Sequence, residues 1–197
     1  MAIDAYMYFL QYNNVGFLTS ESQAQRGKGQ DPMFESFGFK EAYGKSGIFE
    51  VEDFSFDVEQ TLNIGSQSSG AGAGRITFNP FSITRKIDCA SPILLQMACA
   101  GTTFEKVALG ARKSSGGDQA GTIYLVFLFK LVAVKTIGWS YDDESPKETT
   151  TFEYGGLQVH YTIQNPDGKP GKTIPGGWNK VTNLKDDDPK SVLNPPK

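Results

Sequence analysis

The clearest helix signal in this chain is Arg85-Lys86-Ile87-Asp88-Cys89-Ala90-Ser91-Pro92-Ile93-Leu94-Leu95-Gln96-Met97-Ala98-Cys99-Ala100-Gly101, because the remaining sequence is typical of strands and turns. Ser91 is a favourable N-cap residue, and Pro92 suits the first helical position. Gly101 suits the left-handed residue that ends many helices. The pattern therefore predicts one short helix over about residues 91–100.

Gln96 is the only strongly polar side chain inside this predicted helix. A surface helix normally has a polar face, so a helix that is apolar all round must be covered on more than one side. The single core of a small chain covers one side, and we expect a second copy of the chain to cover the other. The candidate subunit-interface residues are Leu94, Leu95, Met97 and Ala98.

The overall composition is that of a single aromatic-rich β domain. The chain has 197 residues and 39% hydrophobic residues, with 22 Gly, 14 Phe and 8 Tyr. A net charge of −3 argues against a nucleic-acid partner, which would need a basic face. The apolar run Ile123–Val134 is interrupted by Lys130 and is too short for a membrane-spanning helix, so we expect a long buried strand and no membrane insertion.

The N-terminus and the cysteines indicate where the chain is made. Residues Met1 to Tyr6 lack a basic region and a small-residue cleavage site, so no cleaved signal peptide is expected. Cys89 and Cys99 are the only cysteines and have no metal-like or redox-like spacing. Two buried, reduced thiols are favoured over a disulfide.

Strand-length patterns recur along the chain, separated by Gly, Pro, Asn and Asp. They cover residues 3–10, 48–63, 75–87, 104–113, 122–139 and 149–164. Asn79-Pro80 interrupts one pattern and indicates a bulge or an edge position. Gly155-Gly156 fits either a hairpin turn or a bend within one long strand. Many strands and one helix predict a flattened antiparallel β-barrel.

The sharpest alternation lies between Ile48 and Glu59. It places Phe54, Phe56 and Val58 on one face, which we expect to be buried. The opposite face carries Asp53, Ser55, Asp57 and Glu59. From the pattern alone, an ordinary solvated surface is the simplest interpretation of these polar residues.

Candidate chemical motifs are few. His160 is the only histidine, and its place in an alternating strand indicates a surface or interface position. The glycines of residues 70–75 are followed by a strand pattern, whereas a phosphate-binding loop needs a helix. Neither Asp142-Asp143-Glu144 nor Asp186-Asp187-Asp188 has the spacing of a calcium loop. We therefore expect no catalytic residues, no cofactor and no metal site.

The order of these motifs resembles the haemolysin-coregulated protein (Hcp) family, which forms the tube of bacterial type VI secretion systems. The resemblance rests on residues 75–78 and 81–88, on Ser91-Pro92 with its apolar helix, and on Cys99-Ala100-Gly101. It continues through residues 104–117, the long strand, Val159-His160-Tyr161 and Gly177-Trp178-Asn179.

The resemblance implies hexameric rings that stack into a hollow tube, which a contractile sheath expels behind a spike protein. The implied partners are copies of the chain, the sheath and spike proteins, and effector proteins held within the ring. The implied location is the bacterial cytoplasm during assembly and then the exterior. Family members place Ser55 in the lumen, and the alternation then adds Asp53, Asp57 and Glu59 as candidates for effector contact.

This resemblance also divides the chain into a barrel domain of residues 1–182, with an inserted loop at 30–47, and a disordered polar tail of residues 183–197. A second hypothesis is a monomeric β-barrel that carries a small apolar ligand, since barrel mouths are common binding sites. An enzyme is the third reading, and no constellation of titratable groups supports it.

Overall fold

The computed structural model describes residues 4–11, 18, 21, 48–61, 76–113, 123–141, 145–166 and 169–193. The expected inserted loop at 30–47, the glycine-rich residues 70–75 and the acidic turn 142–144 lie outside this part of the chain.

The described residues form eleven strands and one helix. The strands are β1 (Asp4–Gln11), β2 (Phe49–Val51), β3 (Asp53–Ser55), β4 (Val58–Gln60), β5 (Ile76–Phe78), β6 (Phe81–Lys86), β7 (Thr103–Arg112), β8 (Ile123–Tyr141), β9 (Pro146–Gln164), β10 (Pro170–Asn179) and β11 (Leu184–Lys185). The helix is α1 (Ser91–Ala100). Every strand pairing is antiparallel, so the predicted class, mainly antiparallel β with one helix, is confirmed.

A barrel closes through residues 49–55. The strands of the main sheet follow the order β11-β10-β9-β8-β7-β1-β2. β6 pairs with the N-terminal half of β9, on the edge opposite β8. β2 pairs with β1, where Phe49 is opposite Met7, and β3 pairs with β6, where Phe54 is opposite Ile83. The backbone N–H of Glu52 donates to the carbonyl of Thr84 at 2.9 Å, so one segment joins both ends of the sheet.

The two longest strands extend the structure beyond this barrel. β8 and β9 pair along most of their length, and the C-terminal half of β9 also carries β10. Gly155 and Gly156 lie within β9, so the hairpin alternative for these glycines is wrong. β4 and β5 form a separate two-stranded sheet.

Aromatic rings fill the barrel interior. Phe81 stacks on Phe129 with ring centroids 3.9 Å apart and on Phe152 at 4.7 Å. Phe9 packs edge-on against Phe49 at 5.1 Å. Such offset and edge-to-face contacts add to the free energy gained by burying apolar area. A second buried cluster lies around Tyr6, Tyr8, Ala108, Val126 and Leu128.

The alternating segment between Ile48 and Glu59 forms three short strands rather than one. Phe54 and Phe56 pack against the core as predicted, but Val58 is 42% exposed, so its predicted burial is wrong. The reason is that β4 leaves the barrel to pair with β5. Asn79 anchors the departure by donating its backbone N–H and its side-chain amide to Asp57, at 3.2 and 2.8 Å.

The C-terminal segment, where the sequence predicts a disordered tail from residue 183, is described as far as residue 193 and packs against the sheet. β11 pairs with β10, and Asp186 forms an ion pair with Lys130. Lys130 is fully buried and requires an anionic partner, which the acidic segment supplies. Residues 194–197 lie outside the described chain.

Two further expectations about side-chain exposure are wrong. His160 is buried, with 3% exposure, because its face of β9 is covered by other residues. Its ring Nε2 lies 3.0 Å from Oε1 of Gln158. Cys89 and Cys99 are not joined by a disulfide, as predicted, but they are exposed rather than buried because Cys89 precedes α1 and Cys99 lies outside the buried side of that helix.

Candidate functional site

Helix α1 has the predicted bounds, Ser91–Ala100, but its predicted N-cap residue is wrong. Ala90 is the N-cap residue, and Ser91 is the first helical residue rather than the cap. Gly101 has φ 63° and ends the helix in the left-handed conformation, as predicted. The N–H of Gly101 donates to the carbonyl of Ala98, and that of Thr102 donates to the carbonyl of Met97.

The hydroxyl of Ser91 does not cap the helix because it belongs to a buried polar cluster. The Arg85 guanidinium donates to Ser91 Oγ at 3.0 Å and to Asp88 Oδ1 at 2.7 Å. It also donates from Nε to Glu148 Oε1 at 3.0 Å. The indole N–H of Trp139 donates to the other Glu148 oxygen at 3.0 Å. This cluster fixes the start of α1 against β6 and β9.

The apolar residues of α1 divide between two sides. Leu94 and Met97 are buried in the protomer's own core, so the fold itself accounts for two of the four interface candidates. Leu95 is 42% exposed and Ile93 is 36% exposed, while Ala98 is half-buried. Leu95 and the candidate Ala98 are three residues apart and share one flank of α1, whereas the exposed Ile93, two residues from Leu95, lies on a different flank.

A polar surface covers the outward positions of β3, β6, β8 and β9. We name it the hydroxyl face, and its residues are Asp53, Ser55, Ser82, Thr84, Thr136, Thr149 and Thr151. Ser82 Oγ and Thr151 Oγ1 are 2.8 Å apart, and Thr84 Oγ1 and Thr149 Oγ1 are 3.2 Å apart. These hydrogen bonds join β6 to β9 across the surface, so the hydroxyl face is flat and braced by its own side chains.

The four candidate effector-contact residues are all exposed, but they do not form one group. Asp53 and Ser55 lie together on the hydroxyl face. Asp57 binds Asn79 where the chain leaves the barrel, and Glu59 lies on the separate sheet opposite Thr77. Sequence reasoning did not identify the Ser and Thr residues of β6 and β9. Their signal was the alternate spacing of Ser82 with Thr84 and of Thr149 with Thr151.

A second exposed apolar surface lies on β9 and β10. Tyr161 is paired with Ile174, and Ile163 lies two residues further along the same face of β9. Their exposures are 44%, 51% and 42%. We call these three residues the β9–β10 patch. Among the described strands, β10 pairs with β9 along its length and with β11 only at Trp178 and Asn179.

Within the described ranges, no group of three or more His, Cys, Asp or Glu residues could hold a metal ion. The described helix is too short to cross a membrane.

Comparison with known proteins identifies this fold. The family model described as "Type VI secretion system effector, Hcp" matches residues 19–161, which is most of the chain. The chain belongs to the Hcp family. The family resemblance of the sequence is therefore confirmed, and the protein is a component of type VI secretion. No curated protein matches the sequence.

Solved Hcp structures have the same fold. A type six secretion system protein superposes with a TM-score of 0.71 at 24% identity, covering 94% of this chain and 100% of the other. Hcp1 from Salmonella typhimurium gives 0.65 at 18% identity, covering 94% and 99%. The secreted protein Hcp3 from Pseudomonas aeruginosa gives 0.57 at 18% identity, covering 90% and 98%.

Proposed function

We propose that this Hcp protein is a structural subunit of the type VI secretion inner tube. Copies assemble into hexameric rings, the rings stack into a hollow tube, and effector proteins are held in the lumen. A sheath drives the tube, behind a spike protein, out of the bacterial cytoplasm. The observation that carries the proposal is that Ile93 and Leu95 are exposed on the two flanks of α1 in a chain of the Hcp family.

The exposed side of α1 supports assembly. Ile93 and Leu95 lie on a helix whose start is fixed by the buried Arg85 and Glu148, so the apolar side chains are held in a defined place. A helix with apolar residues on both sides favours a second covering surface. A neighbouring copy supplies that surface in a ring.

The strand edges support the same conclusion. The β9–β10 patch exposes three large apolar side chains, and β10 presents unpaired backbone along much of one edge within the described residues. Exposed edges and apolar patches mark association surfaces. Repetition of the same contact around a closed ring would cover every such edge.

The hydroxyl face suits a tube lumen. Four of its hydroxyl groups pair with each other, Ser82 with Thr151 and Thr84 with Thr149, and its defining residues include no large apolar side chain to retain a passing protein. In Hcp proteins the strand that contains Ser55 faces the lumen, and Asp53 lies beside it on the hydroxyl face. A ring would repeat this carboxylate around the lumen, so we infer a preference for effectors with a basic or polar contact surface.

The alternative function, a carrier of a small apolar ligand, is less well supported. Phe81, Phe129 and Phe152 stack inside the barrel where such a ligand would lie. A cleft of about 430 Å³ near the start of α1 has mainly charged walls, with Glu50, Glu52 and Lys86 among them. The barrel interior is therefore filled by its own rings, and the cleft lacks the apolar lining that such a ligand needs.

The assembly proposal is tested with Leu95→Glu and the neighbouring control Gln96→Glu. Both residues are exposed on α1, but only Leu95 is apolar. We expect rings in electron micrographs of the native protein and of Gln96→Glu, and single protomers with native circular dichroism for Leu95→Glu. Rings of Leu95→Glu with native mass would contradict a role for this side of α1.

The lumen proposal is tested with Asp53→Lys and the control Thr182→Lys. Thr182 is exposed in the turn after β10, so it receives the same charge away from the hydroxyl face. We expect Asp53→Lys alone to weaken effector binding, measured by co-purification at low salt, where charge interactions are strongest. Equal binding by both variants would contradict the proposed effector preference.

A further inference from the structure

A polar groove lies on the side of the sheet opposite the aromatic core. Its floor is built from β7, β8 and β9 and contains Lys106, Lys130, Gln158 and His160. All four side chains are buried, and Lys130 is fully buried. Two ammonium groups in one buried groove require compensating negative charge or carbonyl oxygens.

Residues 186–193 supply these groups. The Lys130 ammonium donates to Asp186 Oδ2 at 2.8 Å, to the carbonyl of Asp188 at 2.7 Å, and to Ser191 Oγ. The Gln158 amide donates to the carbonyl of Asp188 at 3.0 Å. Lys130 is therefore the centre of a site whose other half is the C-terminal segment.

Lys106 and Gly177 bind the same segment on either side of this centre. The Lys106 ammonium donates to the carbonyl of Pro189 at 3.0 Å. The N–H of Gly177 donates to Asp187 Oδ1 at 3.0 Å. Four consecutive residues, 186 to 189, thus each place an oxygen on a donor of the sheet.

Two glycines give the segment room. A Cβ atom on Gly177 would lie 2.1 Å from the carbonyl oxygen of Asp186, and one on Gly156 would lie 3.0 Å from Cδ1 of Leu193. A Cβ on the adjacent Gly176 would have no atom within 4 Å. The two close glycines lie where the segment crosses the sheet, so the groove is shaped for a peptide backbone.

Only a short strand, β11, pairs the C-terminal segment with the main sheet. β11 contributes two residue pairs with β10, and the preceding turn 180–183 is exposed. The barrel pairings of β1, β2, β3, β6, β7, β8 and β9 do not involve the segment. The strand pairing of the barrel therefore does not depend on residues 186–193.

We propose that this groove is a binding site for an acidic peptide segment, which residues 186–193 occupy within their own chain and which the same segment of a second copy can occupy in its place. Lys130 binds a carboxylate and, five residues later, a hydroxyl group. An emptied groove exposes Lys130 without its partners from residues 186–191 and leaves Lys106 with only the more distant Glu105 at 3.9 Å, which favours another acidic segment. A second copy fits because it presents the same residues in the same order.

The test uses the folded full chain with a protease site inserted between Thr182 and Asn183, cleaved after purification. Synthetic peptides of residues 183–197 then compete with the cleaved segment, measured by fluorescence anisotropy of a labelled native peptide. The altered peptide carries Asp186→Asn and Ser191→Ala. The control peptide carries Lys190→Ala, since Lys190 is exposed.

We expect the native and Lys190→Ala peptides to displace the cleaved segment equally. The altered peptide should compete about ten-fold more weakly or worse, because it loses hydrogen bonds to a buried charge. Equal competition by all three peptides would overturn the proposal. A cleaved segment that never exchanges, or one that is lost from a folded barrel that then binds no peptide, would also overturn it.

Discussion

The guanidinium group of Arg85 lies 3.0 Å from Oε1 of Glu148, and both side chains are buried where α1 meets the barrel. Asp88 completes the site at 2.7 Å from the same guanidinium. The Arg85–Glu148 pair joins β6 to β9, and α1 begins six residues after Arg85. The position of α1, and of the assembly surface proposed on it, therefore depends on a buried ion pair.

Breaking this pair should destabilise the protein strongly. Glu148→Gln keeps the shape of the side chain but leaves Arg85 with less negative charge, at a cost of about 3 kcal/mol in the free energy of unfolding. The control is Lys135→Ala, which removes an exposed ion pair with Glu153 at 2.8 Å and should cost less than about 1 kcal/mol. Urea unfolding measures both. Equal losses in the free energy of unfolding would show that the buried ion pair contributes no more to stability than the exposed one.

Adding a methyl group at Gly177 should release the C-terminal segment. Gly177→Ala places a Cβ against the carbonyl of Asp186 and should destabilise the protein by about 1–3 kcal/mol. Gly176→Ala, with open space at its Cβ, should change the stability by less than about 1 kcal/mol. Hydrogen exchange should rise in residues 186–193 of the first variant only. Unchanged hydrogen exchange in residues 186–193 of Gly177→Ala would contradict the close contact between Gly177 and the carbonyl of Asp186.

Local patterns predict much of this fold. The left-handed Gly101 ends α1, and the alternating apolar residues mark most strands. The break at Asn79-Pro80 lies between β5 and β6, as the missing N–H of proline requires. These features depend on residues that are close in sequence, so a short stretch of sequence is enough to predict them.

The C-terminal segment illustrates what such patterns omit. Asp186 and Lys130 are 56 residues apart, and no local window connects an acidic run to a lysine in an apolar strand. His160 was expected at the surface because alternation assigns one face of a strand to solvent. Here Gln158, which lies two residues from His160 on that second face, is buried and donates to the carbonyl of Asp188, so the segment covers part of the face that alternation assigns to solvent. The sequence analysis also did not identify the hydroxyl face, because this surface combines residues from four strands that are distant in sequence.

Mild acid should loosen the C-terminal segment. Burial lowers the pKa of His160, and Lys130 lowers it further, while Asp187 raises it. The unfolded chain then binds a proton more readily than the folded chain. Stability should therefore fall as the pH drops through about 6.5 and level off below the folded pKa.

Asp186 causes a further loss of folding stability at lower pH. Burial alone would raise the pKa of Asp186, but hydrogen bonds from Lys130 and Ser191 outweigh burial and lower it. Its stabilisation is complete above the ordinary carboxyl pKa and is lost as the pH falls further.

The check is the urea midpoint at about pH 7.5 and about pH 5.5, a range in which histidine is the side chain that titrates without perturbation. The native protein should be less stable at the lower pH, and His160→Asn should reduce that difference. The chain contains one histidine, so the comparison isolates this group. If His160→Asn shows the same difference in urea midpoint between the two pH values as the native protein, His160 is not the group responsible for the loss of stability.

Removing the hydroxyl of Tyr154 should not destabilise the fold. This hydroxyl is buried and has no hydrogen-bond partner among the described residues. Burial raises the pKa of Tyr154 to about 12, and Glu153 and Asp57 contribute. Tyr154→Phe should leave the free energy of unfolding unchanged or raise it by about 1 kcal/mol.

The matched control for Tyr154 is Tyr6→Phe. The Tyr6 hydroxyl accepts a hydrogen bond from Arg112 at 2.6 Å, so its removal should cost about 1.5–3 kcal/mol. Thermal unfolding of both variants compares them directly. A larger loss for Tyr154→Phe than for Tyr6→Phe would show that the Tyr154 hydroxyl has a stabilising partner.

Ring formation is the central claim, and the native mass of the purified protein tests it most directly. The chain has a mass of 21.5 kDa, and native mass spectrometry at physiological salt should find a hexamer as the main species. A folded protein that remains a 21.5 kDa protomer at high concentration, with Ile93 and Leu95 exposed, would contradict the account.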